Sequence, residues 1–172
     1  MLEGERVNLR VVEKEDLPLI AEWRNAPEFQ GEYNLLIQES KADLEKRYEG
    51  FHQAQEWFLI EKKDKTKVGL IVLEPGEGMQ EIGYVILPSE RGKGHCTEAV
   101  KLIVDYLFLS QNIVRVQAHT DVRNTASQRV LEKTGFTKEA LVRSHIFMRG
   151  QRRDEFLYSV IREEWKEPKI LT

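Results

Sequence analysis

A mixed α/β fold, with a mostly antiparallel central sheet of about seven strands and helices on both faces, is predicted by three features of the sequence. The runs Trp57–Ile60 and Val68–Leu73 flank the charged stretch from Glu61 to Lys67, the pattern of an antiparallel hairpin with a solvated tip. From Gly94 to Phe108 the apolar spacing turns helical between two strand-like runs, and a long helix between strands is how parallel neighbours are joined. Phe136–Met148 and Arg153–Arg162 then close a second hairpin across Arg149-Gly150-Gln151-Arg152.

The elements follow in order. Residues 6–12 alternate well enough for a first strand. Asp16 to Asn25 reads as a helix, with Pro18 in its first turn and Leu17, Ile20, Ala21 and Trp23 apolar. Ser40 caps a second helix, with Asp43 in its first turn and Leu44, Tyr48 and Phe51 giving its spacing. After the first hairpin, Pro75-Gly76-Glu77-Gly78 turns the chain into a strand over Glu81–Leu87. In the long helix Cys96, Ala99, Val100, Ile103, Val104, Leu107 and Phe108 share one face. Ile113–His119 is a strand, and Asn124–Thr134 a short helix stopped by Gly135.

Composition narrows the function. The 172 residues hold 41% hydrophobic and 32% charged side chains, with no repeat, low-complexity tract or linker, so one domain spanning 1–172 is expected. A net charge of −3 without a basic stripe argues against a nucleic-acid partner. No apolar run is long enough to span a bilayer, and Met1–Arg6 carries no basic region before an apolar core, so neither a membrane nor a secretory signal is expected. Cys96 stands alone, which fits a reducing cytoplasm, and no His, Cys or Asp spacing suggests a metal.

The chemistry is concentrated in Arg91-Gly92-Lys93-Gly94-His95-Cys96, between a strand and an amphipathic helix. Backbone N–H groups at a helix N-terminus, with the positive end of its dipole, bind phosphate, and glycines let the ligand approach. The stretch is neither a nucleotide P-loop, whose four-residue spacer and Gly-Lys-Ser/Thr are absent, nor a dinucleotide fingerprint, because Thr97 holds the third glycine position. It resembles the Gln/Arg-x-x-Gly-x-Gly/Ala signature of the GNAT acetyltransferase superfamily. With Glu81–Pro88 before it, Thr97-Glu98-Ala99 after it, Asn124–Ser127, Val130–Phe136, Glu22–Asn25 and Gly150–Asp154, it is similar to the RimJ/RimL-type branch of ribosomal-protein N-terminal acetyltransferases.

The resemblance implies a fourth strand splayed from the fifth, with acetyl-CoA as acetyl donor in the gap. Backbone groups of Tyr84, Val85 and Ile86 would pair with pantetheine. The loop Arg91, Gly92, Lys93, Gly94, His95, Cys96 and Thr97 would hold the pyrophosphate; Asn124 would reach the cofactor, and Ser127 would lie near its sulfur. Transfer is direct, so Cys96, where relatives carry Gly or Ala, is read as a small filler. Relatives place a proton-donating Tyr four residues before the Gly-Phe pair; here Leu131 stands there, and Ser127 is the substitute. Tyr84 or Val85 would offer a strand N–H to the oxyanion, and Glu81 would be the base through water. His95 is expected to point outward and His119 to end a strand, neither with an assigned role.

The acceptor would be met by the first two helices, their connection and the last hairpin, with Trp23, Glu28, Tyr33 and Asp154 as substrate-binding candidates; Asp154 reads equally as a partner of hairpin amides. An α-amine, with a pKa of about 7.7–8.0 against roughly 10.4 for lysine, needs the weaker base and is the first choice, as a protein N-terminus. A polyamine is the alternative if Glu22, Glu28, Glu32 and Glu39 converge, and a non-catalytic acyl-CoA-binding protein is a third reading. A monomer or homodimer is expected.

Overall fold

The computed structural model describes residues 1–51, 56–166 and 168. Among these residues eight strands, one more than the sequence suggests, form a sheet in the order β1-β2-β3-β4-β5-β6-β8-β7. They are β1 (Leu2–Glu3), β2 (Val7–Val11), β3 (Glu56–Lys62), β4 (Lys67–Gly76), β5 (Met79–Ile86), β6 (Arg115–Asp121), β7 (Thr137–Met148) and β8 (Gln151–Ile161). The extra strand is the two-residue β1, too short for an alternation to show, which pairs Leu2 with Leu9. The helices are α1 (Leu17–Asn25), α2 (Pro27–Gln30), α3 (Lys41–Phe51), α4 (His95–Ser110) and α5 (Thr125–Lys133). The four-residue α2, started by Pro27 and ended by Gly31 at φ 63°, has no periodicity to read. Ser40 caps α3 through Oγ, which accepts the Asp43 N–H at 3.1 Å, while the side chain of Phe51 at its end lies outside the described residues.

Alternation along the strands divides the core between the two faces. Phe58, Ile60, Ile71, Ile82 and Ile86 join Val100, Ile103 and Leu107 of α4 in one buried cluster. Trp57, Leu59 and Leu70 face the other way, onto Leu17, Ile20 and Trp23 of α1, Phe29 of α2 and Leu44 of α3. Each cluster is apolar and closed, so the two helical layers hold β5 from opposite sides.

The strands pair antiparallel except β5 with β6, where α4 makes the crossover. That parallel pairing covers only Met79↔Arg115, Gln80↔Val116 and Glu81↔Gln117. Beyond it β5 stays bonded to β4 as far as Gly69↔Ile86, and β6 to β8 as far as Asp121↔Glu155. Each strand keeps its outer neighbour and loses its inner one, so the sheet opens into a gap between Ile82–Ile86 and residues 118–121 of β6.

Candidate active site

A cavity of about 680 Å³ opens along the β5 side of this gap, within the size range of small-molecule sites. It is lined by residues 30–34 after α2, by Tyr84, Val85 and Ile86 of β5, by Glu90–Thr97, and by Asn124, Ala126, Ser127, Arg129, Val130 and Lys133 around α5. Of the residues expected at the donor, Tyr84, Val85, Ile86, Gly92, Lys93, Gly94, His95, Cys96, Thr97, Asn124 and Ser127 all reach it, as does Arg91.

One end of the cavity is the N-terminus of α4. The first intrahelical bond runs from the Glu98 N–H to the Gly94 carbonyl, and no side chain caps the helix, so the N–H groups of its first turn are left for a ligand. Gly92 at φ 74° and Gly94 at φ 83° take left-handed conformations that favour glycine. Arg6, Lys93, Arg129 and Lys133 surround the same space. Open donors, a helix dipole and basic side chains fit a long anionic ligand such as coenzyme A.

Some loop side chains are turned to structural work. Arg91 donates through Nε to the Ile86 carbonyl at 3.1 Å and through Nη2 to that of Phe29 at 3.3 Å, tying the loop to α2. Lys93 Nζ lies 3.2 Å from Glu90. His95, expected to point outward, is instead only 12% exposed, its Nδ1 3.5 Å from the same carboxylate, because the first turn of α4 carries it inward. Cys96 packs against the core cluster, and burial pushes its thiol up to about 12. A thiol so far from ionising is a poor nucleophile at neutral pH.

Across the gap, the phenol of Tyr84 meets Ser127 Oγ at 2.8 Å. Ser127 is fixed in turn by its own N–H, which donates to Asn124 Oδ1 at 3.1 Å, the N-cap bond of α5. Burial holds Tyr84 well above the usual phenol range, with the Ser127 contact opposing only in part, so the hydroxyl stays protonated. Leu131 is fully buried and offers no polar group. The sequence reading looked to the Tyr84 backbone; alternation with Ile82 and Ile86, which turns the ring toward α4 and α5, was the available signal for its hydroxyl.

The opposite face of β5 carries Glu81, Gly83 and Val85. Glu81 Oε1 lies 2.8 Å from His119 Nδ1, and Oε2 accepts from Gln117 Nε2 at 3.0 Å. Burial works to raise the Glu81 pKa, but these bonds outweigh it and leave it below the ordinary value. The bond to Glu81 in turn raises His119 above the ordinary imidazole value, burial offsetting part of the effect. Continuing in step from the last pair, Glu81↔Gln117, brings His119 level with Gly83 across the opening gap. A Cβ on Gly83 would meet nothing within 4 Å, so the space above it is open. The pairing of His119 with Glu81 was missed because it requires the parallel register, which one sequence does not state.

The acceptor-side candidates divide. Tyr33 lines the cavity, with the Arg123 guanidinium 5.9 Å over its ring. Trp23 does not reach it: 7% exposed, it stacks on Phe29 at 5.0 Å as part of the core, as its place on the apolar face of α1 dictates. Glu28 is exposed on α2, outside the cavity lining. Asp154 is turned to the last hairpin, where Oδ1 accepts the Ser144 N–H at 2.7 Å. The acidic set does not converge: Glu39 is held by Arg24 and Arg47, Glu22 is exposed on α1, and Glu32 alone of the four lines the cavity.

A sheet opened between two parallel strands, with an uncapped, glycine-flanked helix N-terminus beside the gap, fits an acyl-CoA transferase architecture, and residues 6–137 match the Acetyltransferase (GNAT) domain family. The chain belongs to that family and is an acetyl-CoA-dependent N-acetyltransferase whose acceptor is an amine. It is 28% identical to the uncharacterised N-acetyltransferase p20 of Bacillus licheniformis over 94% of this chain and 96% of that one. It is 26% identical to a spermidine N(1)-acetyltransferase of Escherichia coli K12 over 92% of this chain and 88% of that one. Its fold matches the crystal structure of a spermidine N-acetyltransferase from Vibrio cholerae in complex with CoA and spermine, with a TM-score of 0.82, 24% identity and coverage of 92% and 97%.

Proposed function

We propose that this enzyme acetylates an α-amine at a protein N-terminus, as the RimJ/RimL-type resemblance implies. The carrying observation is the Glu81–His119 pair facing the open space above Gly83, on the sheet face opposite the Tyr84–Ser127 pair. Acetyl-CoA supplies the acetyl thioester from within the gap. Amides of Gly92–Thr97 hold its pyrophosphate, and β5 amides from Tyr84 to Ile86 pair with the pantetheine arm. The amine enters above Gly83 and loses its proton toward His119, directly or through water. Bonding of the donating Nδ1–H to Glu81 leaves Nε2 as the basic atom. A β5 N–H stabilises the oxyanion of the adduct made when the C–N bond forms; its collapse breaks the C–S bond, and the thiolate leaves on a hydrogen bond from the Tyr84–Ser127 pair and takes its proton from water. An α-amine, with a pKa of about 7.7–8.0 against roughly 10.4 for lysine, asks less of an imidazole base.

The second reading, a polyamine acceptor, is favoured by the spermidine acetyltransferase of Escherichia coli. The dispersed carboxylates speak against it: a polycation needs several free ones, and Glu39 is already paired twice. Release of free thiol from acetyl-CoA, followed with peptides and with spermidine, tests the choice. Peptide turnover is expected; turnover of spermidine alone overturns the reading. Gly83→Leu should raise KM for the amine at least tenfold while leaving the acetyl-CoA Kd unchanged.

A further inference from the structure

The closing hairpin carries an irregularity that the fold does not need. Between Val142↔Glu155 and Ile146↔Arg153, three residues of β7 oppose the single Asp154 of β8. Ser144 sits there at φ 53°, a left-handed conformation unusual for a side-chain-bearing residue, and Asp154 holds it by accepting its N–H at 2.7 Å. Bulges of this kind re-aim a side chain, and this one re-aims His145. Its ring stacks on that of His119, with centroids 4.4 Å apart and planes 27° apart. Its Nδ1 lies 2.6 Å from Glu155 Oε2, a carboxylate 9% exposed.

The two imidazoles are therefore held alike, each with Nδ1 on a carboxylate from a neighbouring strand and each against the other's face. The groups facing His119 are Glu81 from β5, Gln117 on its own strand, His145 from β7 and Glu155 from β8. Stacking lets the ring flip about its Cβ–Cγ bond only if His145 moves, and His145 is held by Glu155 and the clamped bulge.

We propose that His145 is a positioning residue: the β7 bulge, closed by Asp154, stacks it on His119 and so holds His119 with Nδ1–H on Glu81 and Nε2 facing the acceptor amine. The inference rests on His119 being the proton acceptor, and its contribution is the orientation of that ring. Because the contact is face to face, another flat ring serves in place of the imidazole, whereas a small side chain does not.

The test uses the full-length enzyme with ¹⁵N-labelled histidine, comparing wild type, His145→Ala and His145→Phe. In the wild type the His119 nitrogen shifts should report the Nδ1–H tautomer almost alone. His145→Ala should mix the tautomers and lower kcat about tenfold, less than the roughly 10²–10⁴-fold of losing a general base because His119 itself remains, with the acetyl-CoA Kd unchanged. His145→Phe should restore both the tautomer and most of kcat. A His145→Ala enzyme with the wild-type tautomer overturns the proposal, and so does a His145→Phe enzyme as impaired as His145→Ala. The tautomer is read without turnover, so failure of the peptide-acceptor reading leaves it intact. If instead His119→Gln keeps wild-type kcat, the His119 reading fails independently of the stacking.

Discussion

Tyr84 and Glu81 sit three residues apart on one strand and face opposite sides of the sheet, which fits them to opposite ends of one acetyl transfer. Tyr84, held protonated by burial and bonded to Ser127, can in the proposed reaction offer the leaving thiolate a hydrogen bond. Removing its hydroxyl in Tyr84→Phe should lower kcat by roughly 100-fold, as for loss of one preorganised hydrogen-bond donor, while isothermal titration shows unchanged acetyl-CoA affinity. In the proposed mechanism Glu81 acts through its hydrogen bond to His119, the largest cause raising that imidazole. The neutral ring is the active form, so kcat should fall as pH drops through a value above 6.5. Glu81→Gln removes the raising cause, and the acid limb of the kcat–pH profile should move to lower pH. A limb that stays in place would assign the titration to another group.

The elements that present these residues were readable to different degrees. The N-terminus of α4 was the clearest, because a glycine pair between a strand and an amphipathic helix is a purely local pattern. Gly94→Asp should abolish acetyl-CoA binding in calorimetry. It places a carboxylate at φ 83°, beside the phosphate site, where a Cβ comes within 3.2 Å of Arg6 Nη1. Circular dichroism should show the fold retained, and Gly94→Ala should lose less affinity because it adds strain without charge. Helix α5 was equally readable: Gly135 at φ 90° ends it with the Gly135 N–H on the Glu132 carbonyl and the Phe136 N–H on that of Leu131. The acceptor side was not. Trp23 looked like a site residue because its sequence neighbours resemble the family, yet its spacing already placed it on the apolar face of α1. The Glu81–His119 and His119–His145 contacts join strands that are distant in sequence, and the second depends on a bulge. No local pattern encodes either.

At the scale of the whole molecule the gap is a consequence of topology. The long crossover through α4 makes β5 and β6 parallel neighbours, but only three residue pairs join them before each follows its antiparallel partner, β4 or β8. The sheet is thus two antiparallel halves hinged at Met79–Glu81 and backed by α4, and among the described residues the edge of β5 facing the gap has no strand partner beyond Glu81. Unpaired strand edges form hydrogen bonds with whatever extended chain is offered, and pantetheine carries amides to offer. Hydrogen exchange should therefore be fast at the gap-facing amides between Ile82 and Ile86 in the free enzyme and slow when CoA is bound. Amides of Met79–Glu81, already paired with β6, should change much less. Because the ligand bridges both halves, it should also raise the unfolding temperature: at 100 times Kd the stabilisation is about 2.7 kcal/mol, which for a chain of this length is a shift of roughly 5–10 °C. Equal protection of all β5 amides would indicate general tightening of the sheet. Protection confined to the gap-facing set would identify the ligand as the missing strand.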